Sequence, residues 1–247
     1  MSAAKLRLDQ LLVARGLAAS RQQAQALILA GEVFAAGQKA AKPGHQLPAD
    51  VALEVRAPTS RFASRAGDKL AAALDSFAVR VDGRLALDIG SSSGGFTDCL
   101  LARGARRVHA VDSGTNQMIW RLRTDARVHL LEKTNARYLK AEDLGGERPS
   151  LLVMDVSFIS ATLLLPAATP LLEPGAEAIV LVKPQFEAGR EAVGKGGLVR
   201  DPTAQAAAVR RVGAALVSLG GRLLGEMPSP VLGASGNQEY LVYAVLQ

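Results

Sequence analysis

The sequence predicts an α/β protein: a doubly wound, mostly parallel sheet preceded by a small α+β unit. Three observations predict it. Residues 85–98 pass from an apolar run ending at Asp88, through a loop of Gly and Ser, into the helical pattern opened by Phe96. Behind that stretch, short apolar runs alternate with helical patterns to the end of the chain, as in repeated βαβ units. Ahead of it, the elements are shorter and the charge is concentrated. Residues 1–65 hold nine Lys/Arg against four acids, a surplus of five in a 247-residue chain whose net charge is +6.

Composition sets the outer limits. With 49% hydrophobic and 21% charged residues, the chain can fill one medium core and a second small one. The single Cys99 cannot form an internal disulfide, which points to a reducing compartment, and its helical setting is that of a small buried apolar residue. His45, His109 and His129 lack ligand spacing, so no metal is expected. No leader pattern opens the sequence, and its longest apolar run, 161–172, is interrupted by Pro166 and Pro170. The expectation is a soluble, cytoplasmic protein with no membrane role.

In chain order, Leu8, Leu11 and Leu12 recur at helical spacing up to Gly16. Ser20 and Gln23 form a capping box for a second helix, with Ala24, Leu27 and Ile28 as its apolar stripe and Gly31 as its end. Residues 33–35 and 38–40 flank Ala36-Gly37 as a tight hairpin, and 51–55 alternates like a closing strand. A break at 56–60, with Pro58 inside it, separates a first domain (1–55) from a second (61–247). Residues 64–77 predict an alanine-rich helix leading to the central strand. Strands follow at 107–111 and 128–131, with a short helix over 117–123 in which Trp120 reads as a packing residue. Buried strands at 151–154 and 178–182 come next. Residues 186–200 read as a mobile loop, Asp201-Pro202 opens a helix to 219, and a final antiparallel hairpin closes the sheet.

Ligands of open α/β sheets bind beyond the carboxyl ends of the strands, where Asp88, Asp112, Asp155 and Lys183 all fall. Asp112 stands where a carboxylate can accept hydrogen bonds from ribose hydroxyls, and Thr134 to Arg137 suits an adenine-side loop. Asp155 and Lys183 have two readings, acid/base work beside a cofactor or a structural ion pair. The three-glycine dinucleotide spacing is not met, and no Lys-Ser/Thr pair marks a phosphate loop.

What remains, Asp88-x-Gly90-x-x-x-Gly94-Gly95-Phe96, resembles the first motif of S-adenosylmethionine-dependent methyltransferases. The resemblance implies a cofactor set of Asp88, Gly90, Ser91, Ser92, Ser93, Gly94, Gly95, Phe96, Asp112, Ser113, Asn135 and Asp155. Arg7-Leu8-Asp9-x-x-Leu12, Ser20-Arg21 and Gly31-x-Val33 resemble the alpha-L RNA-binding module, which implies that Arg7, Arg15, Ser20 and Arg21, joined by Arg65, meet RNA. Phe34 is the one aromatic residue of that segment, so RNA shape rather than base identity is the expected target.

Lys69 in Ser-Arg-x-Gly-x-Lys-Leu, Asp155 in Asp-Val-Ser-Phe-Ile-Ser, Lys183 in Leu-Val-Lys-Pro-Gln-Phe-Glu, and Glu239 resemble the Lys-Asp-Lys-Glu tetrad of FtsJ-like ribose 2′-O-methyltransferases. Together with the N-terminal module, this is similar to the TlyA family, often called haemolysins. Ala66 departs from the expected glycine. The resemblance implies 2′-O-methylation of ribose in ribosomal RNA, with ribosomal subunits as partners. Lys183 would lower the pKa of the hydroxyl or take its proton, Asp155 would orient Lys183, and Lys69 and Glu239 would position the ribose. Two other classes stay open at this point, a non-catalytic RNA-binding assembly factor and a membrane-active haemolysin.

Overall fold

Strand and helix patterns resolve into two units, Met1–Thr59 and Ser60–Gln247. The computed structural model describes residues 5–247 except 19, 30, 41, 56–59 and 234, so nearly all of the proposed 56–60 break lies outside the described residues.

In the first unit, β1 (Lys5–Arg7) runs straight into α1 (Leu8–Ala14), followed by α2 (Arg21–Leu29). Ser20 Oγ accepts from the Gln23 amide at 3.1 Å, the cap read from the sequence. β2 (Val33–Ala35) and β3 (Gln38–Lys39) are joined by Ala36 at φ +50° and Gly37 at φ +76°, the left-handed pair that matches strand twist in a two-residue hairpin. β4 (Gln46–Pro48) and β5 (Leu53–Val55) complete the set. β5 pairs with β2, whereas β4 pairs with β1, a two-stranded ladder that sequence periodicity does not reveal. Leu8, Leu12, Ile28 and Val33 are fully buried and form a small core.

The second unit begins with α3 (Ala66–Ser76), β6 (Leu85–Ile89), α4 (Gly95–Ala102) and β7 (Arg107–Val111). Then come α5 (Trp120–Arg123), β8 (Val128–Leu131), β9 (Leu151–Met154), α6 (Leu165–Ala168) and β10 (Glu177–Val182). It ends with α7 (Pro184–Glu187), α8 (Pro202–Ser218), β11 (Arg222–Pro228) and β12 (Tyr240–Val245). The strands lie in the order β8-β7-β6-β9-β10-β12-β11. β6 to β10 pair in parallel, and β12 inserts antiparallel between β10 and β11.

Alternate residues of each buried strand face opposite layers. Leu87, Ile89, Leu152, Met154, Val180 and Val182 pack with α6 and α8, while Ala86, Leu151, Val153, Ile179 and Leu181 pack with α3 and α4. The chain runs outward from β6 to β8, then returns to β9 on the other side of β6. The crevice between β6 and β9 is therefore the topological switch point, where open α/β sheets bind ligands.

Two sequence expectations are corrected. The helix expected over 117–123 forms only at Trp120–Arg123, and Trp120 is 76% exposed rather than packed, because Met118 and Leu122 on either side fill the adjacent core. The segment 186–200 is not a free loop. Its first residues continue α7, short 3-10 turns follow, and Asn237 clamps it by accepting from the Val199 amide at 2.9 Å and donating to the Gly197 carbonyl at 2.8 Å.

Candidate active site

The Gly-Ser loop after β6 makes one wall of a cleft open to solvent. Gly90, at φ +86°, sits so tightly against the Asp155 carbonyl that no Cβ fits between them. Gly95 plays the same part for the start of α3: a side chain there would collide with Ser64 and Ala66, which complete the opposite wall. Phe96, Asp155, Ser157 and Lys183 close the cleft. Ser64, Ala66 and Ser157 were not foreseen, since a lone Ser or Ala carries no sequence signal and only the approach of separate loops brings them here.

The amides of this loop hold the turn itself. Those of Gly90 and Ser91 donate to the Val111 carbonyl, and that of Ser92 donates to Asp112 Oδ2 at 2.8 Å. Asp112 Oδ1 accepts from the Gly114 amide at 2.6 Å, so this carboxylate ties two loops together and keeps further lone pairs for a ligand. Ser93 accepts from Ile119 through its carbonyl, and Gly94 lies under Leu122. Ser113 is exposed beside them. Asn135 Oδ1 caps its own 3-10 turn through the Arg137 amide at 3.1 Å.

Asp88 is placed differently from the rest of the expected cofactor set. It lies fully buried beneath the loop instead of on the cleft wall. Its Oδ2 accepts from Thr97 Oγ1 at 2.6 Å, and its Oδ1 has no hydrogen-bond partner among the described residues. Desolvation, outweighing the Thr97 bond and reinforced by Asp155, pushes its carboxyl up to about 7.

The four tetrad residues form two ion pairs. Lys183 Nζ lies 2.6 Å from Asp155 Oδ1, at an angle poor for hydrogen bonding, and donates to Ser157 Oγ at 2.8 Å. Lys69 Nζ, buried on α3, pairs with Glu239 Oε2. Register joins the pairs: Tyr240 stands opposite Val182, which puts Glu239 beside Lys183 at the same sheet end. Asp155 donates its amide to the Ile89 carbonyl at 2.9 Å, which fixes it at the β6/β9 switch point.

The cleft suits S-adenosylmethionine. A glycine cradle lies against backbone, and Ser91 Oγ is buried with no partner among the described residues, a polar atom awaiting a ligand. Among the described residues, no group of three His, Cys, Asp or Glu side chains is arranged to hold a metal.

In the first unit, the candidate RNA contacts are engaged within the domain. Arg7 makes a bidentate bond to the buried Asp9 (3.0 Å each), Arg21 reaches the same carboxylate at 3.2 Å, and Gln25 does so at 3.0 Å. Those bonds hold the Asp9 carboxyl well below the usual range. Arg15 donates to the carbonyls of Ala49 and Val51. Arg65, in the second unit, precedes α3 and is half-buried.

Residues 62–245 match the family described as FtsJ-like methyltransferase, and residues 6–51 match the S4 domain. Fold and cleft together define an S-adenosylmethionine-dependent methyltransferase of the FtsJ-like class carrying an S4 domain. Over 98% of its length the chain is 47% identical to the 16S/23S rRNA (cytidine-2′-O)-methyltransferase TlyA of Mycobacterium tuberculosis, covering 90% of that protein. It is 39% identical to hemolysin A of Brachyspira hyodysenteriae, with 98% and 100% coverage. A solved structure described as a candidate hemolysin, from Streptococcus thermophilus, superposes with a TM-score of 0.76 at 40% identity, covering 99% of this chain and 89% of that one. Fibrillarin from Aeropyrum pernix, solved with S-adenosyl-L-methionine, shares the fold alone (TM-score 0.51, 19% identity, 72% and 74% coverage). The chain belongs to the TlyA family, as its tetrad and N-terminal motifs implied.

Proposed function

We propose that this chain methylates a ribose 2′-hydroxyl of ribosomal RNA, using S-adenosylmethionine held by the Gly90–Gly95 loop, Asp112 and Asp155. The observation that carries the reading is the Asp155–Lys183–Ser157 constellation on the wall of the glycine cleft, with the buried Lys69–Glu239 pair beside it. Bound S-adenosylmethionine supplies a methyl group made electrophilic by its sulfonium. The protein's task is to make the hydroxyl nucleophilic and hold it in line. Lys183 Nζ polarises or accepts the proton of the 2′-hydroxyl. Asp155 holds that nitrogen and places negative charge on the cleft wall. The Lys69–Glu239 pair stiffens the strand end from which Lys183 projects.

Recognition of RNA falls to two surfaces. The S4 unit offers Arg7, Arg15, Ser20 and Arg21 to phosphates, and the methyltransferase unit offers Arg65, so shape rather than sequence is read. At the cleft, Phe158 is 91% exposed and its ring meets Phe186 at 5.4 Å, an aromatic pair suited to a base drawn out of its stack. The 47%-identical mycobacterial relative is named for cytidine 2′-O-methylation of 16S and 23S rRNA, which supports ribosomal subunits as the partners.

The test is transfer of a tritiated methyl group to each ribosomal subunit and to naked rRNA, with the product located by its resistance to alkaline cleavage. Label at an alkali-resistant linkage is expected. Cofactor binding with no transfer to any ribosomal RNA would favour an assembly factor instead.

A further inference from the structure

Ser157 is absent from the tetrad, yet its hydroxyl touches the residue on which the chemistry turns. Besides Cε, the nitrogen of a lysine has three tetrahedral directions. On Lys183 the hydrogen bond to Ser157 Oγ at 2.8 Å takes one of them, while Asp155 Oδ1, 2.6 Å away at an angle poor for hydrogen bonding, holds the nitrogen by charge. The bond to Ser157 sets how the other two point, and the cleft that all three residues line is where an acceptor enters.

The surrounding backbone keeps Ser157 in place. Phe158, the next residue, adopts φ +66°, a left-handed conformation that strains a bulky side chain and persists only where neighbours enforce it. Two contacts enforce it. The Phe158 ring lies against Phe186, and buried Glu187 accepts from Ser160 Oγ at 2.5 Å and from the Ala161 amide at 2.7 Å. The loop 155–161 and the turn 183–187 are thus fastened at three levels, with the Lys183–Ser157 bond innermost.

We propose that Ser157 is a positioning residue for methyl transfer: with Asp155 it fixes Lys183 Nζ so that another of its N–H directions meets the acceptor hydroxyl. The proposal rests on the ribose reading above. In full-length enzyme at saturating cofactor, Ser157→Ala is expected to lower kcat about tenfold, with KM for RNA and cofactor within about twofold of wild type. Ser157→Thr, which keeps the hydroxyl, is expected to recover most of the rate. An unchanged kcat in Ser157→Ala, a loss confined to KM, or an equal loss in Ser157→Thr would overturn the proposal.

A second readout does not depend on turnover. An amine-reactive reagent, with labelling read by mass spectrometry, is expected to modify Lys183 several-fold faster in Ser157→Ala than in wild type, while exposed Lys140 is unaffected. Equal labelling of Lys183 in both proteins would show that Ser157 does not hold the nitrogen. Inactive wild type would remove the ribose reading, and the labelling comparison would still decide whether Ser157 restrains Lys183.

Discussion

Asp88→Asn isolates the electrostatic cost of the carboxylate buried under the glycine loop. Burial raises this carboxyl from 3.8 to about 7 in the folded protein. Below about pH 4 the group is protonated in both folded and unfolded chains and contributes no pH dependence. Between pH 4 and 7 the unfolded chain releases the proton while the folded one keeps it, so stability falls as pH rises, and above pH 7 the loss is complete. The displacement corresponds to about 4 kcal/mol. Asparagine keeps the shape and can still accept from Thr97 Oγ1, but it is neutral at every pH. Its amide protons add a stability offset that does not vary with pH. The difference in stability between Asp88→Asn and wild type should therefore shift in the variant's favour by about 4 kcal/mol between pH 4 and pH 8. In a unit of this size that is a relative gain of about 10 °C in Tm. Calorimetry of the cofactor-free protein across this range measures it. A difference that stays flat, or moves against the variant as pH rises, would refute the argument.

Three other perturbations test separate parts of the account. Gly90→Ala puts a side chain at φ +86° against the Asp155 carbonyl, and it should cost about 2–3 kcal/mol and abolish cofactor binding in titration calorimetry. Burial pushes the Cys99 thiol up to about 12, so native protein should show no reaction with a thiol reagent at pH 8, and unfolded protein should show one thiol per chain. Asp9→Ala leaves Arg7, Arg21 and Gln25 without their shared acceptor and should destabilise the S4 unit by about 2 kcal/mol, read from its melting transition.

What could be read from the sequence was written in local chemistry. The Ser20 cap, the Ala36-Gly37 hairpin and the strand–glycine–helix passage at 85–98 each depend on a few adjacent residues, and each is found where the residues require it. Apolar runs located the parallel strands for the same reason. The missed features depend on residues far apart in the chain. Lys5–Arg7 pairs with Gln46–Pro48 across some 40 residues, and each segment, at three residues, is too short for its alternation to announce a strand. Trp120 looked like core by type, but its neighbours Met118 and Leu122 fill that core. Segment 186–200 looked irregular because its order comes from Asn237, on a different loop. At the site, four charged residues were legible from a motif resemblance. The Lys183–Asp155 pair is legible there too, whereas the pairing of Lys69 with Glu239 and the presence of Ser64 and Ser157 on the wall emerge only from the fold.

Lys183→Ala tests the central claim most directly, with S-adenosylmethionine binding and methyl transfer to rRNA measured on the same preparation. The geometry predicts cofactor affinity within a few-fold of wild type and transfer reduced by at least about 10²-fold, the scale of a lost acid/base group. Transfer within a few-fold of wild type would contradict the role assigned to this nitrogen.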